Sequence, residues 1–171
     1  ATAETYTDLL QHLAASGYVV AAPTFPLSSG DSPCGAVAGD SVNQPEDMSF
    51  VIDSVLDAAA GDDSPLAGLV DERSIGAAGH SNGGITMYGL VAHGTDDDLV
   101  SYDDAVDAFN RARGPKGLLT FVGGDHGSAA GAGAFTAITD FFDGYLRDDD
   151  AARQRLVADQ VPGESTMQFE A

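Results

Sequence analysis

Ser74-Ile75-Gly76-Ala77-Ala78-Gly79-His80-Ser81-Asn82-Gly83-Gly84 is the stretch on which the fold turns. Its first five residues are small and apolar, as in a strand buried on both faces. The rest carries Gly-x-Ser-x-Gly, the pattern of a sharp strand-to-helix turn that lifts a serine into the open. The glycines have a steric purpose: side chains two positions either side of such a serine would collide, and Gly79 and Gly83 clear that space. In a chain with 21 glycines the pattern also arises by chance, so its meaning depends on the residues downstream.

Two later segments come in the order that a serine, an acid and a histidine would need. Val91-Ala92-His93-Gly94-Thr95-Asp96-Asp97-Asp98-Leu99-Val100 reads as a strand end and then a polar loop carrying carboxylates. Leu118-Leu119-Thr120-Phe121-Val122-Gly123-Gly124-Asp125-His126-Gly127 reads as a second strand end with a histidine in a glycine-flanked turn. Loops beyond the carboxyl ends of parallel strands are where open sheets gather ligand groups. The chemistry this order implies is acyl transfer. Ser81 attacks an acyl carbon, His126 takes and later returns the proton, and a carboxylate fixes the histidine tautomer.

Around these motifs, helix and strand patterns alternate, which argues for an α/β architecture with a sheet covered on both faces and no linker to divide residues 1–171. The first helix is expected from about Glu4 to Ala15, with Tyr6, Leu9, Leu10 and Leu13 on one face and Gly17 as its stop. A strand over Tyr18 to Ala22 comes next, then a Gly/Pro/Ser loop from Pro23 to Asp40, which reads equally as a wall of the site and as plain surface. A second helix begins near Asn43, with Glu46 completing a capping-box-like pair, and carries Met48, Ile52, Val55 and Ala59 inward. Further helices are expected between Asp103 and Arg113, from Ala134 to Leu146 and from Asp148 to Asp159, the last opening on acidic residues favoured by the helix dipole.

Phe25-Pro26-Leu27-Ser28, Val42-Asn43-Gln44-Pro45-Glu46-Asp47-Met48-Ser49-Phe50-Val51-Ile52-Asp53, the serine turn, and His93-Gly94-Thr95 through His126-Gly127 together resemble bacterial α/β-hydrolases of the dienelactone-hydrolase, chlorophyllase and platelet-activating-factor-acetylhydrolase-like group. The resemblance spans nearly the whole chain. It implies a reduced α/β-hydrolase fold with a mostly parallel sheet flanked by helices, and hydrolysis of carboxylic esters through an acyl-enzyme. By its pattern after His-Gly-Thr the acid falls on Asp97, with Asp98 in place of the usual proline and Asp96 and Asp98 as the alternatives. A serine at 81, where true dienelactone hydrolases use cysteine, points to an esterase-like member. The resemblance also implies that the backbone N–H of Asn82 is one oxyanion donor. Thr24, Phe25, Leu27 and His80 stand as substrate-wall candidates, and the substrate is a small-molecule or polymeric ester.

Two departures accompany the likeness. The family's other oxyanion donor lies in a loop before the first helix, and this sequence opens inside that helix. Losing one such donor costs roughly a hundred- to a thousand-fold in rate. Only twelve positions separate Ser81 from His93, which leaves a very tight parallel crossover. The alternative to an esterase is therefore a catalytically inactive fragment or pseudoenzyme of the same group.

Composition bounds the remaining possibilities. With 27 acidic against 7 basic residues the net charge is −20, which argues against nucleic acid and against anionic membrane surfaces. No run is long and apolar enough to span a membrane, and none reads as a signal peptide; export is implied only by the resemblance. Cys34 stands alone, so no intramolecular disulfide forms, and no two histidines have metal-ligand spacing, so no metal or other cofactor is assigned. His12 reads as half-exposed on the first helix, and the resemblance implies that His93 is not the catalytic base.

Overall fold

Leu118 and Leu119 are adjacent in sequence and belong to different cores, which is the signature of a strand buried on both faces. They lie on the central strand of a three-stranded sheet in the computed structural model, which describes residues 3–29, 32–33, 35, 37–80 and 90–170. The chain divides into two compact units, Ala1–Ile75 and Gly76–Ala171.

The first unit is built from helices and turns. A 3-10 turn over Ala3–Tyr6 leads into α1, Thr7–Ala15. Gly17, at φ 86°, ends it, its N–H bonding the Ala14 carbonyl while the Tyr18 N–H bonds that of Leu13. Leu13 is buried, and Tyr6, Leu9 and Leu10 are half-buried. The loop beyond is anchored by side chains. Gln44, only 3% exposed, donates from Nε2 to Ser28 Oγ at 2.9 Å, and the Val37 N–H reaches the Leu27 carbonyl at 2.9 Å. α2 spans Gln44–Ala60, with its expected stripe of Met48, Ile52, Val55 and Ala59 half-buried. The capping box does not form. The Asn43 side chain makes no bond to the helix N–H groups and donates instead to Asp40 Oδ1 at 3.2 Å.

The second unit carries the sheet. β1 is Leu90–Gly94, β2 Lys116–Phe121 and β3 Ser165–Glu170, in that spatial order. β1 and β2 run parallel, with Leu90 opposite Gly117, and α3, Tyr102–Arg111, makes the crossover. The Ser101 hydroxyl caps α3 by accepting the Asp103 N–H. α3 covers one face of the sheet, packing Ala105 and Phe109 on Leu118. On the other face Leu119 meets Ala137 and Leu156, from α4, Ala132–Leu146, and α5, Asp150–Ala158. α4 and α5 are held together by Arg155, which grips the buried Asp140 through Nη2 at 2.6 Å and Nε at 3.0 Å. Asp149 caps α5, accepting the N–H groups of Ala151 and Ala152, so the acidic run opens the helix as the dipole favours.

The expected reduced α/β-hydrolase fold with a mostly parallel sheet is not what forms. Among the described residues the sheet has three strands and is mixed, because β3 pairs antiparallel to β2, Met167 lying opposite Leu119. The expected strands at Tyr18–Ala22 and Ser74–Ala78 make no ladder among those residues. Apolar composition suits a segment to a strand, but a strand exists only where a neighbour takes up its N–H and C=O groups. Gly76 instead packs against α4, where a Cβ would sit 2.9 Å from both Phe142 and Leu146. No described helix is long and apolar enough to cross a membrane.

Candidate active site

The ends of β1 and β2 lie side by side, Gly94 opposite Phe121, so the loops that leave them travel together. They are stitched residue by residue. The Thr95 N–H bonds the Phe121 carbonyl at 3.0 Å, the Gly123 N–H bonds Thr95 Oγ1 at 2.8 Å, and the Asp96 N–H bonds the Gly124 carbonyl at 2.9 Å. Gly94 is required for this approach, because a Cβ there would run into the backbone of Gly124. Downstream, Asp125 Oδ1 gathers the N–H groups of Gly127 and Ser128 and the Ser128 hydroxyl, which holds the turn just past His126.

The stitching brings His126 Nδ1 to 2.7 Å from Asp97 Oδ2. Of the three consecutive aspartates, Asp97 is the one that faces the imidazole, while Asp96 and Asp98 are exposed and Asp96 accepts from Thr95 Oγ1. The second oxygen of Asp97 accepts the N–H groups of Leu99 at 2.8 Å and Val100 at 3.0 Å, and its side chain is 3% exposed. Burial by itself would raise its pKa. The Val100 amide, the His126 ring and the Leu99 amide outweigh that and hold the carboxyl at about 2. An ionised Asp97 can only accept, so the His126 Nδ1 that faces it carries a proton, and in the neutral ring the lone pair is on Nε2.

Two further histidines border this pair. His93, on β1, donates from Nδ1 to the Gly94 carbonyl at 2.8 Å, and its Nε2 stands 3.5 Å from Asp97 Oδ2, too long for a strong hydrogen bond. Its ring edge meets Tyr102, whose hydroxyl is 2.6 Å from Thr120 Oγ1. His80 lies with its Nε2 2.9 Å from the His126 carbonyl and its ring centroid 5.0 Å from that of His126. Burial pushes the His80 pKa down.

Ser81 and Asn82, the expected nucleophile and oxyanion donor, lie outside the described residues, as does Cys34. The structure brings together Asp97, His126 and His80. Thr24, Phe25 and Leu27 belong to the first unit, where Thr24 and Leu27 are exposed and the Phe25 carbonyl accepts the Ser29 N–H. The roles of Gly94 and Thr95 in joining the loops were not foreseen from sequence. The signal for them was the His93-Gly94-Thr95 run itself, a glycine and a hydroxyl at the point where a strand becomes a loop. No family model matches the chain, and no curated protein matches it.

Proposed function

We propose that this chain is a serine hydrolase acting on carboxylic esters through an acyl-enzyme, with Ser81 as nucleophile, His126 as base and acid, and Asp97 as the acid that orients His126. The observation that carries the reading is the 2.7 Å contact from His126 Nδ1 to a buried, ionised Asp97, with Gly79-His80-Ser81-Asn82-Gly83 upstream in the same unit. The motif resemblance supports ester substrates, small or polymeric, and the net charge of −20 speaks against a phosphate-backbone partner.

In the reaction, His126 Nε2 takes the Ser81 proton as Oγ bonds to the acyl carbon, and the carbonyl electron pair moves onto oxygen, where the Asn82 N–H donates. Collapse expels the alcohol, which receives the proton from His126. Water then repeats the two steps, releasing the carboxylic acid and restoring the serine hydroxyl. Asp97 stays ionised throughout and stabilises the imidazolium in each half.

Intact mass after treatment with a fluorophosphonate tests this without choosing an ester. Oγ bonds to phosphorus, fluoride leaves, and His126 accepts the proton. One adduct on the wild-type chain that is lost in Ser81→Ala is the expected result. No adduct on folded protein overturns the reading in favour of a catalytically inactive chain.

A further inference from the structure

His126 has two handles. Its ring is held by Asp97 through Nδ1, but a ring anchored at one nitrogen can still pivot if the main chain beneath it moves. The second handle is on that main chain: the His126 carbonyl lies 2.9 Å from His80 Nε2. A carbonyl oxygen accepts and cannot donate, so the proton of this bond belongs to His80. His80 is also covalently next to Ser81.

We infer that His80 is a positioning residue for His126, a latch through which the segment carrying the nucleophile grips the backbone of the segment carrying the base. The inference rests on the hydrolase reading for its catalytic meaning, and on the His80–His126 bond alone for its structural content. It reassigns His80 from the substrate wall to the internal alignment of the site.

Three features of the geometry support a latch over a simple packing contact. The bond joins residues 46 positions apart, so it constrains tertiary arrangement rather than local turn geometry. It is directed at the residue that must present Nε2, while the neighbouring turn is already secured by Asp125. The ring lies 5.0 Å from His126, where a charged His80 would repel the imidazolium formed in each half-reaction, and burial pushes the His80 pKa down, toward the neutral ring. A neutral donor aligns the base without opposing its protonation.

Misalignment of a reacting group by about an ångström costs on the order of a hundred-fold, so loss of the latch is expected to be visible in rate well before it is visible in folding. The experiment compares two variants that separate bond from bulk. His80→Phe keeps an aromatic ring and removes the donor, whereas His80→Gln removes the ring and places an amide N–H at the reach of Nε2. The readouts are the fluorophosphonate labelling rate and the far-downfield proton NMR signal of His126 Nδ1–H on Asp97, which needs no working serine.

Labelling at least about tenfold slower in His80→Phe, with His80→Gln within about threefold of wild type, is expected. The downfield proton broadens or disappears in the first and persists in the second. Wild-type labelling by His80→Phe, or a His80→Gln variant as slow as His80→Phe, overturns the inference, since bulk would then matter and the bond would not. Should His80→Phe fail to fold, His80→Asn replaces it, its amide falling short of the carbonyl, with the same slow outcome expected. A wild-type chain that takes no label overturns the hydrolase reading instead, and the latch is then judged by the proton signal: lost in Phe and kept in Gln supports it, kept in both overturns it.

Discussion

The two units use apolar residues to different effect. In residues 76–171 the side chains of Phe109, Leu119 and Leu156 are almost wholly removed from water, because a central strand sends successive residues to opposite faces and each face has its own helices. In residues 1–75 Leu13 is the one large apolar side chain buried among the described residues, while Val42 and Phe50 are 78% and 72% exposed. The best-buried residue of α2 is Gln44, held by a hydrogen bond. An amphipathic helix supplies a stripe, and a core requires a surface that collects stripes from several elements. The residues that face His126 belong to the unit with the sheet, whose parallel strand ends bring the Asp97 and His126 loops side by side.

The largest expected contrast is chemical. Asp97→Asn leaves a group of the same size but removes the acceptor that sets the His126 tautomer, and fluorophosphonate labelling should fall by about ten-thousand-fold. Phe25→Ala, in the first unit, should change labelling by no more than about threefold if substrate-independent chemistry lies wholly in the second. Comparable losses from both would break the division of labour.

The next contrast is energetic. Leu119→Ala empties a site between β2, α4 and α5 and should cost about 2–5 kcal/mol in urea unfolding, whereas Ile52→Ala on the half-buried stripe of α2 should cost about 1 kcal/mol. Equal costs would mean that the stripe of α2 is as tightly enclosed as the sheet core. Gly94→Ala tests the stitched loops, since its Cβ has no room beside Gly124. Overpacking there should cost about 1–3 kcal/mol, with labelling reduced more than stability, because the displaced atoms carry His126.

The smallest effect concerns pH. Asp159 Oδ2 is buried without a hydrogen-bond partner among the described residues, and burial, then the neighbouring Asp140, raise the carboxyl from its usual 3.8 to about 6. The folded state therefore holds a proton that the unfolded chain releases at lower pH. The stabilisation is full below about pH 4 and is lost as pH rises through 6. Asp159→Asn should flatten unfolding free energy across that window and gain about 1 kcal/mol at pH 8. Asp97 has the opposite sign: its carboxyl is held at about 2, so its contribution is present above about pH 4 and disappears as pH falls through 2. A pH profile of stability with no acid-side loss in wild type would contradict that assignment.

Much of this was legible residue by residue. The helices at Thr7–Ala15, Tyr102–Arg111 and Ala132–Leu146 fall within a few residues of their expected positions, since helical period and stop residues are local properties. Two of the three strands are legible as apolar runs, one before a polar, carboxylate-bearing loop and one before a glycine-flanked turn. The signal for β3 is the clean alternation of Ser165-Thr166-Met167-Gln168-Phe169-Glu170, with Met167 and Phe169 turned inward. The error on Tyr18–Ala22 and Ser74–Ala78 was the converse, because composition cannot say whether a neighbour is there to complete a ladder.

What the sequence determined by itself was the set of local preferences: where helices start and stop, an acidic surface, and the order of a serine, three aspartates and a histidine along the chain. The motif pattern pointed to Asp97 with Asp96 and Asp98 as alternatives, and the tertiary structure decided among the three; it alone decided that β3 joins the sheet antiparallel and that His80 is bonded to the backbone of His126. The reason is one of range. Helical hydrogen bonds close within four residues and can be read from the residues that make them, whereas the strand pairs join distant segments and the side-chain contacts of the loops join residues 29 and 46 positions apart. Which partners meet is then settled by packing.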